Sequence, residues 1–171
     1  MTTLIALLRA VNVGGTGKLP MADLRALCEK AGFSDVRTYI ASGNVVFSSK
    51  LAAPKARVTL EAALAKRLDK PTQVIIRTAD DLEAVIAANP FPKAEPNRLI
   101  VVFLSKAESG TVLEGWKIPG TEQLELVGRE LYVHYPDGMR DSKLRVPFAD
   151  QGTGRNLNTV RALLAMARTA G

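Results

Sequence analysis

Apolar and polar residues alternate with two different periods along the first half of the chain, and these periods predict strands and helices in turn. A nearly continuous apolar run over residues 4–11 predicts a buried central strand. Pro20 marks the start of a helix that Gly32 ends, and Leu60, Leu64 and Leu68 share one face of a second helix over 54–68. Shorter runs predict three more strands, at 36–40, 45–48 and 73–77.

The second half repeats this order only in part. Thr78 followed by Asp81 predicts a capping-box helix start, and the Pro-containing segment 89–92 ends that helix. Ser105 with Glu108 predicts another short helix. Strands are predicted at 98–104, 123–127 and 130–135, followed by a last helix at 157–168. No final strand is evident, so the repeat is incomplete.

The predicted fold is therefore α+β, with two ferredoxin-like halves (split β-α-β units) in one compact, two-lobed protein. The first half has the full order strand, helix, strand, strand, helix, strand, and the second is incomplete. We expect the first half to span 1–88, a hinge 89–97 and the second half 98–171, with the C-terminal helix packing back on the first half.

Composition indicates a soluble, cytoplasmic protein. Of the 171 residues, 47% are hydrophobic, and a chain of this length buries enough surface to fold without disulfides. Its single cysteine, Cys28, excludes an internal disulfide. The first residues lack a basic segment typical of a signal peptide, and the longest apolar run, at 99–104, is too short to span a bilayer. We therefore expect no membrane partner.

The net charge of +6 is concentrated at the two ends of the chain. Residues 1–50 hold six Lys/Arg against three Asp/Glu, and residues 140–171 hold six against two. Residues 51–139 hold eleven against twelve. If the fold brings the ends together, they form a basic face that attracts phosphate-bearing partners. The alternative is a mildly basic protein that binds no such partner.

Three segments at these ends have an unusual sequence: RAVNVGGTGKLPMADLRAL at 9–27, TYIASGNVVFSS at 38–49 and GRNLNTVRALLAMA at 154–167. Together they resemble the bacterial domain-of-unknown-function 1697 family, whose members typically carry R-G-I-N-V-G-G, T-Y-I-x-S-G-N-V-V-F and a T-R-N-W-N-T-V-like helix start. The chain departs from these at Ala10, where Gly is usual, and at Leu157, where Trp is usual. The resemblance implies a shared fold and no particular activity.

The glycine-rich loop at 12–18 follows a strand and precedes a helix, as a nucleotide-binding P-loop does. That loop needs G-x-x-x-x-G-K followed by Ser or Thr, whereas Asn12 occupies the first glycine position and Leu19 follows Lys18. A Mg²⁺-dependent NTPase is therefore disfavoured. Backbone amides, Lys18 and the helix start remain candidates for an anion site, and the alternative is a loop that only makes a tight crossover.

The predicted strand order also occurs in RNA-recognition modules, which stack bases on aromatic side chains of two strands. The first strand has no aromatic residue, the third has only Phe47, and aromatics make up 5% of the chain. Base stacking is therefore disfavoured, while contact with a nucleic-acid backbone stays open. At the other end, Asn156 is placed to cap the last helix, and Arg161 and Arg168 share one face of it.

Catalytic patterns are sparse. His134 is the only histidine and falls within a strand, Cys28 falls on an apolar helix face, and Trp116 is expected to anchor a loop. One Cys and one His make a zinc site implausible, and no carboxylate cluster has a metal-loop spacing, so no metal and no cofactor are expected. Whether the protein is an enzyme stays undecided.

These patterns favour binding of an anionic, phosphate-bearing ligand: a nucleotide, a sugar phosphate or a nucleic-acid backbone. The alternatives are an enzyme acting on a phosphorylated or nucleoside-like molecule, and a structural or partner-binding protein whose Asn and Gly motifs only determine the fold. A monomer is favoured. The candidate anion-binding residues are Arg9, Asn12, Gly14, Gly15, Lys18, Ser42, Gly43, Asn44, Lys143, Arg155, Asn156, Asn158 and Arg161.

Overall fold

The computed structural model describes residues 1–9, 19–40 and 43–169. Over these ranges the fold is mixed α+β, with two four-stranded antiparallel sheets and four α-helices. The chain divides into two compact units. Unit 1 comprises Met1–Leu82 and Ala162–Gly171, and unit 2 comprises Glu83–Arg161. No helix in the described ranges is long and apolar enough to cross a membrane.

In unit 1 two helices connect strands of a four-stranded sheet. The sheet order is β2-β3-β1-β4, so β1 and β3 are central and every neighbouring pair is antiparallel. The elements follow the predicted order with ends shifted by a few residues: β1 (Thr2–Leu8), α1 (Met21–Lys30), β2 (Ser34–Thr38), β3 (Asn44–Ser49), α2 (Ala53–Leu68) and β4 (Val74–Thr78).

The core of unit 1 lies between this sheet and its two helices. Alternate residues of β1 and β3 belong to one buried cluster with the apolar stripes of α1 and α2. Phe47 of β3 stacks on Phe33 with ring centroids 4.2 Å apart. The cluster therefore explains the helical spacing seen in the sequence: its central members are Leu4, Ala6, Leu8, Leu24, Cys28, Val45, Phe47, Ala56, Leu60 and Leu64.

Unit 2 has the same strand order, β6-β7-β5-β8, again with antiparallel neighbours. Its strands are β5 (Leu99–Leu104), β6 (Gln123–Val127), β7 (Glu130–His134) and β8 (Gly152–Asn156). The hairpin between β6 and β7 turns at Gly128, whose φ of 61° favours glycine. Where unit 1 has α1 and α2, the described chain here has long irregular segments with short 3₁₀ helices at Gly110–Leu113 and Ala149–Gln151.

The predicted capping box at the start of α3 (Ala79–Ala87) is confirmed. The Thr78 amide donates to Asp81 Oδ2 at 2.8 Å, and the Asp81 amide donates to Thr78 Oγ1 at 3.1 Å. Each side chain thus satisfies a backbone donor of the other residue.

Two predictions for the second half are wrong. The predicted second half lacks a fourth strand, but β8 pairs with β5 from Gly152 to Asn156 and precedes the last helix. Its sequence, GTGRN, carries glycines because a Cβ at Gly152 would lie 2.6 Å from the Phe103 carbonyl oxygen. The short helix expected after Ser105 is instead the 3₁₀ helix at Gly110–Leu113, capped by Ser109, which accepts a hydrogen bond from the Thr111 amide.

The last helix, α4 (Leu157–Arg168), has the predicted bounds. From Ala162 onward it belongs to unit 1. There Arg37 donates through Nη2 to the Met166 carbonyl at 2.8 Å, and Arg168 pairs with Asp80 at 2.8 Å. The Met166 carbonyl also accepts from the Thr169 amide at 3.3 Å and from Thr169 Oγ1 at 3.1 Å, so the arginine of β2 adds a long-range bond to this local helix end.

Candidate functional site

Three predicted site residues lie together where the first sheet ends. The Leu8 amide donates to the Gly43 carbonyl at 2.9 Å, and the Arg9 amide donates to the Gln73 carbonyl at 3.0 Å. Gly43 has a φ of 75°, which lets the chain turn into β3. The ends of β1, β3 and β4 therefore bring Arg9, Gly43 and Asn44 to one edge. The predicted residues Asn12, Gly14, Gly15, Lys18 and Ser42 lie outside the described residues.

Asn44 at this edge ties the start of β3 to Tyr39, which follows β2. It is fully buried, its side-chain nitrogen donates to the Tyr39 carbonyl at 3.1 Å, and its own carbonyl accepts from the Tyr39 amide at 3.1 Å. This arrangement agrees with the alternative in which the Asn and Gly motifs determine the fold.

Arg155 and Asn156, from the last motif, also make internal contacts. Arg155 donates from Nη1 to Thr153 Oγ1 at 2.8 Å and to the Gly154 carbonyl at 2.9 Å, and burial lowers the pKa of its guanidinium to about 10. Asn156 Oδ1 accepts from the Thr159 amide at 2.9 Å, which is the predicted N-cap of α4.

The remaining predicted residues of unit 2 are exposed. Asn158 and Arg161 lie on the solvent side of the first turns of α4. Lys143 lies in the irregular segment between β7 and β8 and lines two cavities. Of the described candidates, Lys143 therefore has the surroundings of a ligand-binding residue.

The irregular segments around Lys143 are held together by side-chain hydrogen bonds. Trp116 donates from Nε1 to the Arg145 carbonyl at 2.8 Å. Ser142 donates from Oγ to Glu122 Oε1 at 2.5 Å. These bonds join the segment before β6 to the segment after β7, so their charged side chains surround shared cavities.

The first cavity is the cationic groove, of about 380 Å³, lined by Gly115, Trp116, Lys117, Pro119, Lys143 and Arg145. Its three cationic side chains are exposed, and none forms an ion pair within the described part of the chain. Trp116 is 39% exposed at the edge of the groove. A groove of this size with unpaired cations and an aromatic face suits an anionic group attached to a flat or apolar moiety.

The second cavity is the acidic pocket, of about 330 Å³, which shares Pro119 and Lys143 with the cationic groove. Its carboxylates are Glu122, Asp137 and Asp141. Tyr135 also lines it, and burial, together with the charge of Glu122, raises the pKa of that phenol. The two neighbouring cavities therefore carry opposite charge.

The other residues considered for chemistry have structural surroundings. Cys28 is fully buried in the core of unit 1, and burial, with a smaller contribution from Glu29, raises the pKa of its thiol from 9.0 to about 12. His134 Nδ1 lies 3.0 Å from Gln123 Oε1 on the adjacent strand. Among the described residues, no group of three His, Cys, Asp or Glu side chains is placed to hold a metal ion.

Sequence reasoning missed most of both cavities. Glu122 and Asp141 come together through contacts across about twenty positions, which no local pattern signals. Lys117 and Arg145 were overlooked because they fall in segments without periodicity. The available signal was Trp116, the single tryptophan, in a segment rich in Gly and Pro.

The comparisons with known proteins concern fold and family. The chain superimposes on a conserved bacterial protein, SP0830, from Streptococcus pneumoniae with a TM-score of 0.79 and 24% sequence identity, over 97% of this chain and 98% of that one. This likeness shows the fold alone. No functionally curated protein matches the chain significantly. The model of the family described as "Protein of unknown function (DUF1697)" matches residues 1–132, so the chain belongs to that family.

Proposed function

We propose that this protein binds a phosphate-bearing ligand in the cationic groove. The observation that carries the proposal is the set of three unpaired cations, Lys117, Lys143 and Arg145, around one cavity. Cations on a folded surface are usually dispersed or paired with carboxylates, because their mutual repulsion costs free energy. Convergence around a groove whose lining holds no carboxylate supports a site for an anion.

Trp116 supports a ligand larger than inorganic phosphate. Its indole N–H is engaged by the Arg145 carbonyl, and its backbone amide donates to the Leu113 carbonyl at 3.0 Å. The ring is thus held in one orientation while part of its surface stays exposed. A fixed aromatic face stacks on a base or sugar with little loss of side-chain entropy.

The proposed ligand class is the one indicated by the sequence, and the proposed site contains one of the predicted residues, Lys143. The basic face built from both chain ends, with Arg9, Asn158 and Arg161, stays a prediction, as do the candidate residues outside the described ranges. The side-chain hydrogen bonds of Asn44, Arg155 and Asn156 support a fold-determining role for those three.

The fluorescence of Trp116 provides the test, because it is the only tryptophan in the chain. Titration with inorganic phosphate, nucleoside phosphates, sugar phosphates and short oligonucleotides should change its emission with at least one class. Replacing Lys117, Lys143 and Arg145 together by Ala should raise the dissociation constant at least about tenfold at low salt. The effect should shrink at high salt, where screening weakens charge interactions.

A matched control removes three exposed lysines elsewhere: Lys50, Lys55 and Lys93 to Ala. This variant loses the same net charge and should bind with nearly unchanged affinity. Equal weakening in both triple variants would indicate non-specific attraction to a basic protein. Unchanged binding in the groove variant would place the anion site elsewhere.

We also propose that each unit is a form of the ferredoxin-like split unit. The support is the strand order, in which the first strand lies between the third and the fourth in both sheets. In unit 1 the two helices fall in the connections that this arrangement requires. An experimental structure with α1 and α2 on opposite faces of the first sheet would contradict the proposal.

A further inference from the structure

Glu122 has a buried carboxylate oxygen without a donor. The residue is only 9% exposed, its Oε1 accepts from Ser142 Oγ, and its Oε2 has no hydrogen-bond partner among the described residues. A buried carboxylate oxygen without a donor carries a desolvation cost that a hydrogen bond would offset. Because Glu122 lines the acidic pocket, a ligand bound there is the nearest source of such a donor, which a small rotation of the carboxylate would admit.

Gly120 leaves the space beside this oxygen. A Cβ built on Gly120 would lie 2.6 Å from Glu122 Oε2, closer than such contacts occur in proteins. Any other residue at position 120 would push the carboxylate away. The glycine and the buried acid thus form a matched pair in the pocket wall.

The remaining polar groups of the acidic pocket favour a cationic donor. Asp137 and Asp141 add two exposed carboxylates to that of Glu122, against the single cation Lys143 at the boundary with the cationic groove. Tyr135 lies close enough for the charge of Glu122 to raise the pKa of its phenol. The excess of negative charge around the pocket favours a cation over an anion there.

The geometry favours an organic ammonium group over a metal ion. Metal ions need several oxygen ligands at short and regular distances, and no group of three acidic, His or Cys side chains among the described residues meets this need. An ammonium group has three rotatable N–H donors, which reach acceptors that are further apart. The pocket thus suits a primary amine.

We propose that the acidic pocket binds the primary ammonium group of a ligand whose phosphate lies in the cationic groove. The proposal rests on the proposed function, and the shared residues Pro119 and Lys143 make the two cavities neighbours. The ligand class is therefore a phosphorylated primary amine, with the cation and the anion at opposite ends.

Pairs of synthetic ligands test this class directly. Aminoalkyl phosphates with two, four and six methylenes are titrated against the protein beside alkyl phosphates of the same length, with Trp116 fluorescence as the readout. At the best-fitting length the amine should improve affinity by about tenfold, the gain expected of a charge-assisted hydrogen bond. The length with the largest gain measures the separation of the two subsites.

The variant Glu122→Gln should abolish the gain from the amine and leave the affinity for alkyl phosphate unchanged. Its amide keeps an oxygen for Ser142 and places N–H donors where Oε2 lies, so it opposes an ammonium group. Glu125→Gln is the matched control, because Glu125 is exposed on the same strand and does not line the pocket. It should retain the full gain.

Each outcome separates this inference from the proposed function. If amino- and unsubstituted phosphates bind the wild-type protein equally, or if Glu122→Gln retains the gain, the ammonium subsite is wrong and the phosphate site stands. If no phosphate ligand binds, both proposals are overturned. Should Glu122→Gln fail to fold by circular dichroism, Asp141→Asn at an exposed position should still lower the gain by about threefold. An unchanged gain in Asp141→Asn would then overturn the inference.

Discussion

The two units have sheets with the same strand order, yet different segments connect their strands. In unit 1 the connection described in full is the one that contains α2, and apolar residues of α1 and α2 complete the core. In unit 2 the corresponding connections are irregular and rich in charge. The two sheets share a strand order, so the differences in surface cavities between the units arise from the segments that connect the strands.

This difference explains where the cavities with opposed charges lie. Helices that pack on a sheet direct their apolar stripe inward. In unit 1 the cavity of about 570 Å³ lies between α1 and α2, where Lys30, Lys66 and Arg67 line it and no carboxylate does. Irregular segments between strands leave their side chains free to converge from distant positions, as Glu122 and Ser142 do. The cationic groove and the acidic pocket therefore both lie among the connections of unit 2.

Each unit carries one natural probe of its own unfolding. Cys28 is the only cysteine and is buried in unit 1, while Trp116 is the only tryptophan and lies in unit 2. Because burial raises the pKa of Cys28 to about 12, its thiol should react with alkylating reagents at pH 8 only after unit 1 opens. Cys28 labelling and Trp116 fluorescence therefore report the unfolding of unit 1 and unit 2 separately.

The largest effect is expected from Phe47→Ala in the core of unit 1. Phe47 is fully buried and stacks on Phe33, so its truncation should lower the free energy of unfolding by about 3–5 kcal/mol. In urea, the Cys28 labelling midpoint should fall more than the Trp116 fluorescence midpoint. Leu131→Ala, at a fully buried position of unit 2, should show the reverse. Equal shifts of both probes in both variants would mean that the units unfold as one.

A smaller effect is expected from Gly152→Ala in β8. The new methyl group would lie 2.6 Å from the Phe103 carbonyl oxygen and 2.9 Å from Leu104 Cδ2, so β8 must move away from β5. Overpacking of this kind costs about 1–3 kcal/mol. Gly110→Ala is the control, because nothing lies within 4 Å of a Cβ there. Equal stability of the two variants in urea would show that β8 is loosely paired.

The two units also differ in how well the sequence predicts them, because helices and apolar strands leave local patterns and irregular connections do not. Unit 1 is built from amphipathic helices and apolar strands whose periods are visible locally, so α2 was placed to within one residue. β8 was missed because GTGRN lacks the apolar alternation of a strand. Its glycines are required by the close approach of β5, which is a tertiary constraint.

The candidate site was harder to predict than the fold. The sequence motifs directed attention to Asn44 and Asn156, whose side chains make local hydrogen bonds that a motif encodes well. Lys143 was identified, but its neighbours Lys117 and Arg145 were not, because the groove forms through the Trp116–Arg145 hydrogen bond between distant segments. Local patterns therefore identify caps and turns better than cavities.

The smallest effect on stability is expected at the start of α4, where Asn156 caps the helix and Asn158 is an exposed candidate for ligand binding. Asn156 accepts the Thr159 amide hydrogen bond, so Asn156→Ala should cost about 1 kcal/mol of stability without changing phosphate affinity. Asn158 is exposed within the first turn, and Asn158→Ala should be neutral or slightly stabilising because Ala favours helix. Urea denaturation and Trp116 titration measure both quantities. Lost phosphate binding in Asn158→Ala would move the anion site to the last motif, one of the two chain ends to which the sequence assigned it.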